Sequence, residues 1–269
     1  MSARLHGWAA VLLYGYAALA AVFILAPILV PLSISFSEAA FARWPPQGFT
    51  LRWYEKILAD DEFRTSFRFS VVLAAVVTGA TLAIGVPCAQ GLARHRFPGR
   101  AAIQALVLSP LIFPILVSGV ALLQFFSQLG SRATFLHLVI GHVIVCLPYV
   151  VRTVTASLLL VDPNVEAAAR TLGAGPLRAF WRVVLPQIRP GILAGAVFAF
   201  ITSFDDFAVS MWLADARNFP LPLQIYVFIQ RFFDPSVAAI SALMVLFAVS
   251  LMLATERILG VSMRKVMAG

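Results

Sequence analysis

The chain has 269 residues, of which 61% are hydrophobic and only 12% charged, with a mean hydropathy of +0.92, and this excludes an ordinary soluble domain. Its formal net charge of +8 comes with no basic, aromatic-interleaved soluble module, which excludes a nucleic-acid binder. No G-x-x-x-x-G-K-[ST] run occurs, so the chain has no nucleotide site of its own. No His/Asp or Cys/His cluster supports a membrane-embedded enzyme, and no catalytic residue is assigned.

Apolar stretches of about 20 residues, enough to cross a hydrocarbon core of roughly 30 Å, recur at about 8–36, 67–93, 101–127, 134–160, 191–213 and 237–258. They predict an all-α membrane protein with six transmembrane helices, residues 1–269 forming one membrane domain. The first run is too long for a signal-peptide core, despite the small-residue site Ala40-Phe41-Ala42. Pro27 and Pro31 should bend or end its helix. The longest polar stretch follows at 37–66, where Trp44, Trp53 and Tyr54 are expected as interface anchors.

The second span ends in the basic turn Arg94-His95-Arg96-Phe97-Pro98-Gly99-Arg100. The third contains Pro110 and Pro114, whose freed carbonyls need internal partners, and Gln124 and Gln128 one turn apart. The fourth holds His137, His142 and Tyr149. The two histidines are five apart and do not share a face as a zinc pair would, so no metal site is expected. His142 and Tyr149, seven apart, do share one; they either line a pathway or make buried structural hydrogen bonds. Cys88 and Cys146, both inside spans, are expected to pack rather than pair.

A polar interruption at about 161–190 separates the fourth and fifth spans. Asp162 followed by Pro163 is a helix start, Glu166 suits the first turn, and Gly173 should end the helix. A second short helix begins near Pro176, with Leu177, Phe180, Trp181, Val184 and Ile188 on one face. The fifth span, from Pro190-Gly191, then places Asp205 and Asp206 within an apolar helix, roughly 20 Å from its start. A carboxylate at the bilayer centre costs on the order of 2.5–3.5 kcal/mol. The pair therefore serves a substrate or gate, makes an internal ion pair with Arg152 or Arg231, or sits at an early helix end. Arg4, Arg94, Arg96, Arg100, Arg152, Arg170, Arg178, Arg182, Arg189, Arg257, Arg264 and Lys265 fall on one side of this topology. The positive-inside bias makes that side, with both termini, cytoplasmic.

Ala167-Ala168-Ala169, Gly173, Val183 and Leu185-Pro186 have the spacing of the "EAA" loop of binding-protein-dependent ABC importer permeases, which this chain resembles. That signature reads Glu-Ala-Ala, three residues, Gly, nine residues, Ile-x-Leu-Pro. Here Ala167 stands in the glutamate's place, Glu166 lies one position earlier, and Val183 replaces the isoleucine. Ser203-Phe204-Asp205-Asp206-Phe207 and Leu221-Pro222-Leu223-Gln224-Ile225-Tyr226 are similar to the C-terminal half of spermidine/putrescine permeases, though Asp234-Pro235-Ser236-Val237-Ala238-Ala239 lacks that group's usual Pro-Glu-x-Asn-Ala.

The resemblance implies a type I ABC importer permease-like fold in a bacterial inner membrane. It implies a coupling loop carried by Glu166, Ala167, Ala168, Ala169, Gly173, Leu185 and Pro186; a pathway or gate near Asp205, Asp206, Tyr149 and His142 is what the residues themselves suggest. The implied partners are a second permease in a heterodimer, two cytoplasmic ATPase subunits that hold the ATP and Mg²⁺, and a periplasmic or surface solute-binding protein to which the 37–66 segment could offer a docking surface. The implied solute is a polyamine; an opine, an amino-acid-like compound and a phosphonate are the alternatives. A stand-alone secondary transporter, with Asp205 and Asp206 as a cation relay, would leave the loop unexplained.

Overall fold

The computed structural model of the chain describes residues 7–232 and 234–259, apart from the side chains of Ala9, Met252, Glu256, Ile258 and Leu259. Arg4, Arg264 and Lys265, counted above toward the charge bias, lie outside the described residues. Within these bounds every regular element is helical. In chain order they are α1 (Trp8–Ile34), α2 (Arg52–Ala59), α3 (Asp61–Arg94), α4 (Arg100–Leu108), α5 (Ile115–Gln128), α6 (Thr134–Leu160), α7 (Pro163–Thr171), α8 (Pro176–Ala179), α9 (Leu185–Phe204), α10 (Ser210–Leu213), α11 (Leu221–Arg231) and α12 (Ser236–Leu259).

Among the described residues five helices are long and apolar enough to cross a membrane, and two of the six expected spans differ from the sequence reading. The third is not one helix. Residues Arg100–Leu111 and Ile115–Gln128 meet at 104°. Pro110 and Pro114 remove two amide donors within five positions, and a polar substitute appears where the ladder fails: Ser109 Oγ donates to Leu106 O at 2.7 Å. The fifth span runs over Pro176–Phe204 instead of 191–213. A π turn at Phe180–Val184 joins α8 to α9, and Pro186 lies in the first turn of α9, where its missing donor costs little. The segment read as a second short helix is therefore the start of the span itself.

The chain divides into two compact units, Met1–Asp61 with Val227–Val249, and Glu62–Tyr226 with Ser250–Gly269. In the first, α1 is apolar all round, with Trp8, Tyr16 and Phe23 exposed, the pattern of a lipid- or partner-facing span. It continues through Pro27 and Pro31 to Ile34. The loop after it is stitched by side chains. Gln47 N donates to Ser37 Oγ at 3.1 Å, Trp53 Nε1 donates to Ser37 O at 2.8 Å, and Phe36 stacks on Phe49 at 5.3 Å. Trp53 is thus a buried organiser rather than the expected interface anchor, because its indole N–H finds a backbone acceptor inside the loop. Lys56 pairs with Asp234 at 2.6 Å and lies over the Phe232 ring at 4.4 Å. Burial pushes the Asp234 carboxyl up, but the hydrogen bonds from Lys56 and Ser236 outweigh it and hold the group below the ordinary carboxylate range.

The second unit is built on α6. Leu138, Val145, Val151, Val154 and Leu158 of α6, Leu73, Val77 and Leu92 of α3, and Ile188 and Ala199 of α9 form one buried cluster. In lipid such packing depends on close backbone approach more than on water exclusion. The stripe Gly191, Gly195, Ala199 supplies it. A Cβ on Gly191 would run into Ser157 and lie 2.7 Å from Thr153 O, and one on Gly195 would lie 2.7 Å from Thr153 Oγ1. Cys146 uses the same seam, its thiol donating to Ala199 O at 3.4 Å; both cysteines are free. Arg94 Nη2 donates to Val161 O at 3.0 Å, tying the end of α3 to the end of α6 beside α7.

Candidate functional site

Two features of the second unit carry the residues singled out in the sequence. The first is the elbow between α7 and α8. Asp162 caps α7 by accepting from Asn164 N at 2.9 Å, and Pro163 occupies the first helical position. Gly173 ends it with φ 87°, donating to Arg170 O at 3.0 Å, while Ala174 N donates to Ala169 O at 3.1 Å. This pair of bonds closes a helix on a left-handed glycine and satisfies its last carbonyls.

α7 buries none of its residues. Ala167, Ala168 and Gly173 are exposed and Glu166 and Ala169 half-buried; farther on, Leu185 is half-buried and Pro186 exposed. The apolar face expected for the second segment divides. Val184 and Ile188 are fully buried, whereas Leu177 and Trp181 are 70% and 59% exposed and Leu172, across the elbow, 89%. Gly173, Pro176, Leu177, Arg178 and Trp181 line an open recess of about 500 Å³. Large apolar side chains left this bare mark a surface for interaction with another protein or with the membrane.

The second feature lies at the far end of α9. The helix stops at Phe204, so Asp205 and Asp206 sit at a helix break and not within a helix. Asp206 Oδ1 accepts from Val209 N at 2.8 Å and Ser210 N at 3.1 Å, making it the cap of the next turn. Of the three alternatives left open by the sequence, the early helix end is found, and Asp206 Oδ1 also lies 3.8 Å from Nε2 of His142 of α6. His142 also bonds Ser203 Oγ through Nδ1 at 2.9 Å and Ser210 Oγ through Nε2 at 3.1 Å. One imidazole therefore holds both sides of the break. At this break the Asp206 carboxylate meets backbone N–H groups that a continuous span would not offer.

His142 and Asp206 are brought together and buried; Asp205 is exposed; Tyr149 stands apart, half-buried and stacked on Phe198 at 6.3 Å. The shared face of His142 and Tyr149 thus serves two different neighbours. Sequence reasoning missed the roles of Ser203 and Ser210, and it missed Gly119 and Gly141. A Cβ on Gly141 would lie 2.7 Å from Val209 Cγ1, and one on Gly119 2.7 Å from Trp212 Cδ1, so these glycines let α5 and α6 close over the break. Among the described residues no group of three or more His, Cys, Asp or Glu could hold a metal ion. A His142→Ala chain leaves two serine hydroxyls and one carboxylate in the interior short of a partner. It is expected to lose about 1–3 kcal/mol of stability, visible as a lower thermal unfolding midpoint in detergent, with His142→Gln between it and the native protein.

A bundle of broken and unbroken spans with an exposed helical elbow at one end is the architecture of an ABC transporter's membrane subunit. In fold the chain is similar to a chain of a bacterial ABC transporter involved in the import of the acidic polysaccharide alginate, with TM-score 0.73 and 17% identity over 96% of this chain and 99% of that one. The chain belongs to the family described as binding-protein-dependent transport system inner membrane component, which it matches over residues 81–266. Relatives include the spermidine/putrescine transport system permease protein PotC of Escherichia coli (strain K12), 31% identical over 234 residues, 86% of this chain and 88% of that protein. The molybdenum transport system permease protein ModB of Mycobacterium bovis is 35% identical over 201 residues, 69% of this chain and 75% of its own length.

Proposed function

We propose that the chain is the permease subunit of an ATP-driven importer of polyamine-like cations. In this reading both termini are cytoplasmic, and a second, different permease completes the pore. Two cytoplasmic ATPase subunits bring the ATP and Mg²⁺, one of them gripping α7 and the Leu172–Trp181 surface, and a periplasmic or surface solute-binding protein delivers the solute. The observation that carries the coupling is the bare apolar elbow, which no other part of the described chain covers. ATP can shift the permease between inward- and outward-open states only through contacts that differ between them, and an elbow continuous with the fifth span offers such contacts.

The polyamine reading rests on kinship with PotC together with the exposed carboxylate of Asp205 at the break. Asp206 is engaged in capping α10 and facing His142, so it positions the break while Asp205 is left to meet a cationic amine. The Asp205→Asn/Asp206→Asn chain is expected to lose ATP-dependent spermidine uptake by more than about tenfold in vesicles holding the whole transporter, the loss of one charge-assisted contact being worth roughly 1.5–3 kcal/mol. Undiminished uptake would make the pair structural. Kinship with ModB favours a second reading, an oxyanion importer, so the same vesicles should be offered molybdate. Uptake of molybdate and not spermidine would replace the substrate and leave the coupling intact, whereas uptake without the ATPase would remove the importer reading.

A further inference from the structure

The ends of α3, α4 and α6 enclose a recess of about 420 Å³ that the transport reading does not use. Its polar lining is Arg100, Gln104, Arg152 and Thr155, and its walls are otherwise apolar, Leu92 and Leu159 among them. No carboxylate lines it. Among the described residues neither arginine is in an ion pair, and the buried Nε of Arg100 has no hydrogen-bond partner.

Arg152 is exposed, eight residues before Leu160, about 12 Å from the end of α6. A guanidinium beside a membrane-spanning helix takes an anion, a carbonyl or water as its partner. The hydrogen bond from Arg94 to Val161 O places the recess at the end of the bundle that carries α7. The chemistry called for is a phosphate or similar oxyanion, which two forked guanidinium groups recognise well. The walls say where it comes from. Most of the lining is hydrocarbon; Leu159 within it and Leu106, the residue before the lining Val107 on α4, are each 72% exposed. A free inorganic ion has no use for such walls, while an acyl chain does. The absence of a carboxylate further disfavours a zwitterionic headgroup, whose ammonium would find no partner.

We propose that this recess binds an anionic phospholipid, its phosphate held by Arg100 and Arg152, with Gln104 and Thr155 adding hydrogen bonds and a chain lying along Leu106 and Leu159. Such pockets between spans are a recurrent mode of lipid recognition. Two cations also make the recess unfit for a polyamine, so the lipid and the proposed solute do not compete.

The test is native mass spectrometry of the full chain, purified in detergent with whatever subunits accompany it and stripped of lipid. It is then offered phosphatidylglycerol, phosphatidylethanolamine or inorganic phosphate in separate arms. The expected result is a phosphatidylglycerol adduct that Arg100→Gln/Arg152→Gln weakens by about 30-fold, the worth of two cation contacts to an anionic lipid, and that Arg217→Gln does not change. An adduct equally strong in the double Gln variant, equal retention of phosphatidylethanolamine by the native chain, or saturation by phosphate with no lipid adduct would each overturn the proposal. Should the double Gln variant not fold, Arg100→Lys/Arg152→Lys and the native preference between the two lipids decide. The adduct is read without ATP or solute, so its failure and that of the importer reading are distinct.

Discussion

An Ala168→Asp chain should reach the membrane at the native level and import nothing. Ala168 is exposed on α7, a helix that buries none of its residues, so the substitution costs the fold only its helix-propensity difference, well under about 1 kcal/mol. The same carboxylate pressed into an ATPase groove would be desolvated without a partner, a penalty of about 3–5 kcal/mol, enough to break the grip. Gly173→Asp should act alike for a different reason. No atom of the chain lies within 4 Å of a Cβ added there, but φ of 87° charges any residue with a side chain about 1–2 kcal/mol, and the elbow would reopen. ATP-dependent uptake and ATP hydrolysis by the assembled transporter, each normalised to chain present in the membrane, are the measurements. Native uptake by both variants would remove the coupling role from α7.

Gly191→Val should instead cost the folded protein. The new Cβ would collide with Ser157 and press on Thr153 O, a backbone atom that cannot swing aside as a long side chain would. Overpacking of this kind costs about 1–3 kcal/mol when neighbours can yield, and here the seam between α6 and α9 must part. The control is Gly91→Ala in α3, where nothing lies within 4 Å and where alanine should stabilise the helix by about 1 kcal/mol. Thermal unfolding midpoints in detergent should therefore move in opposite directions. Equal midpoints would mean that the α6–α9 seam is looser than its geometry implies.

The elbow was legible because capping is local. Asp162, Pro163 and Gly173 act within a few positions of themselves, and each does in the structure what its residue type suggests. The extent of the fifth span was not, because Pro186 and Pro190 look like barriers, whereas the helix takes Pro186 in the first turn of α9 after the π turn at Phe180–Val184 and runs on through Pro190. The surroundings of Asp205 and Asp206 were still less legible. Two adjacent acids announce a problem for a membrane helix, but its solution depends on Asp206 capping a new turn and on His142, 61 and 68 positions away from the serines it bonds. The glycine stripe of α9 is visible as spacing alone. Which side of the helix needs to be bare is settled only by Thr153 and Ser157 on α6.

The helix that runs from Pro176 to Phe204 has 29 residues and is continuous through one widened turn and through Pro186 and Pro190. That makes it a shaft about 44 Å long, with the bare elbow at its foot and the exposed Asp205 at its head. A shaft of this length converts small rotations into useful travel: tipping it by about 5° displaces one end against the other by about 4 Å, more than the length of a hydrogen bond. Force applied at the foot can therefore rearrange the acidic head with no loop folding or melting on the way.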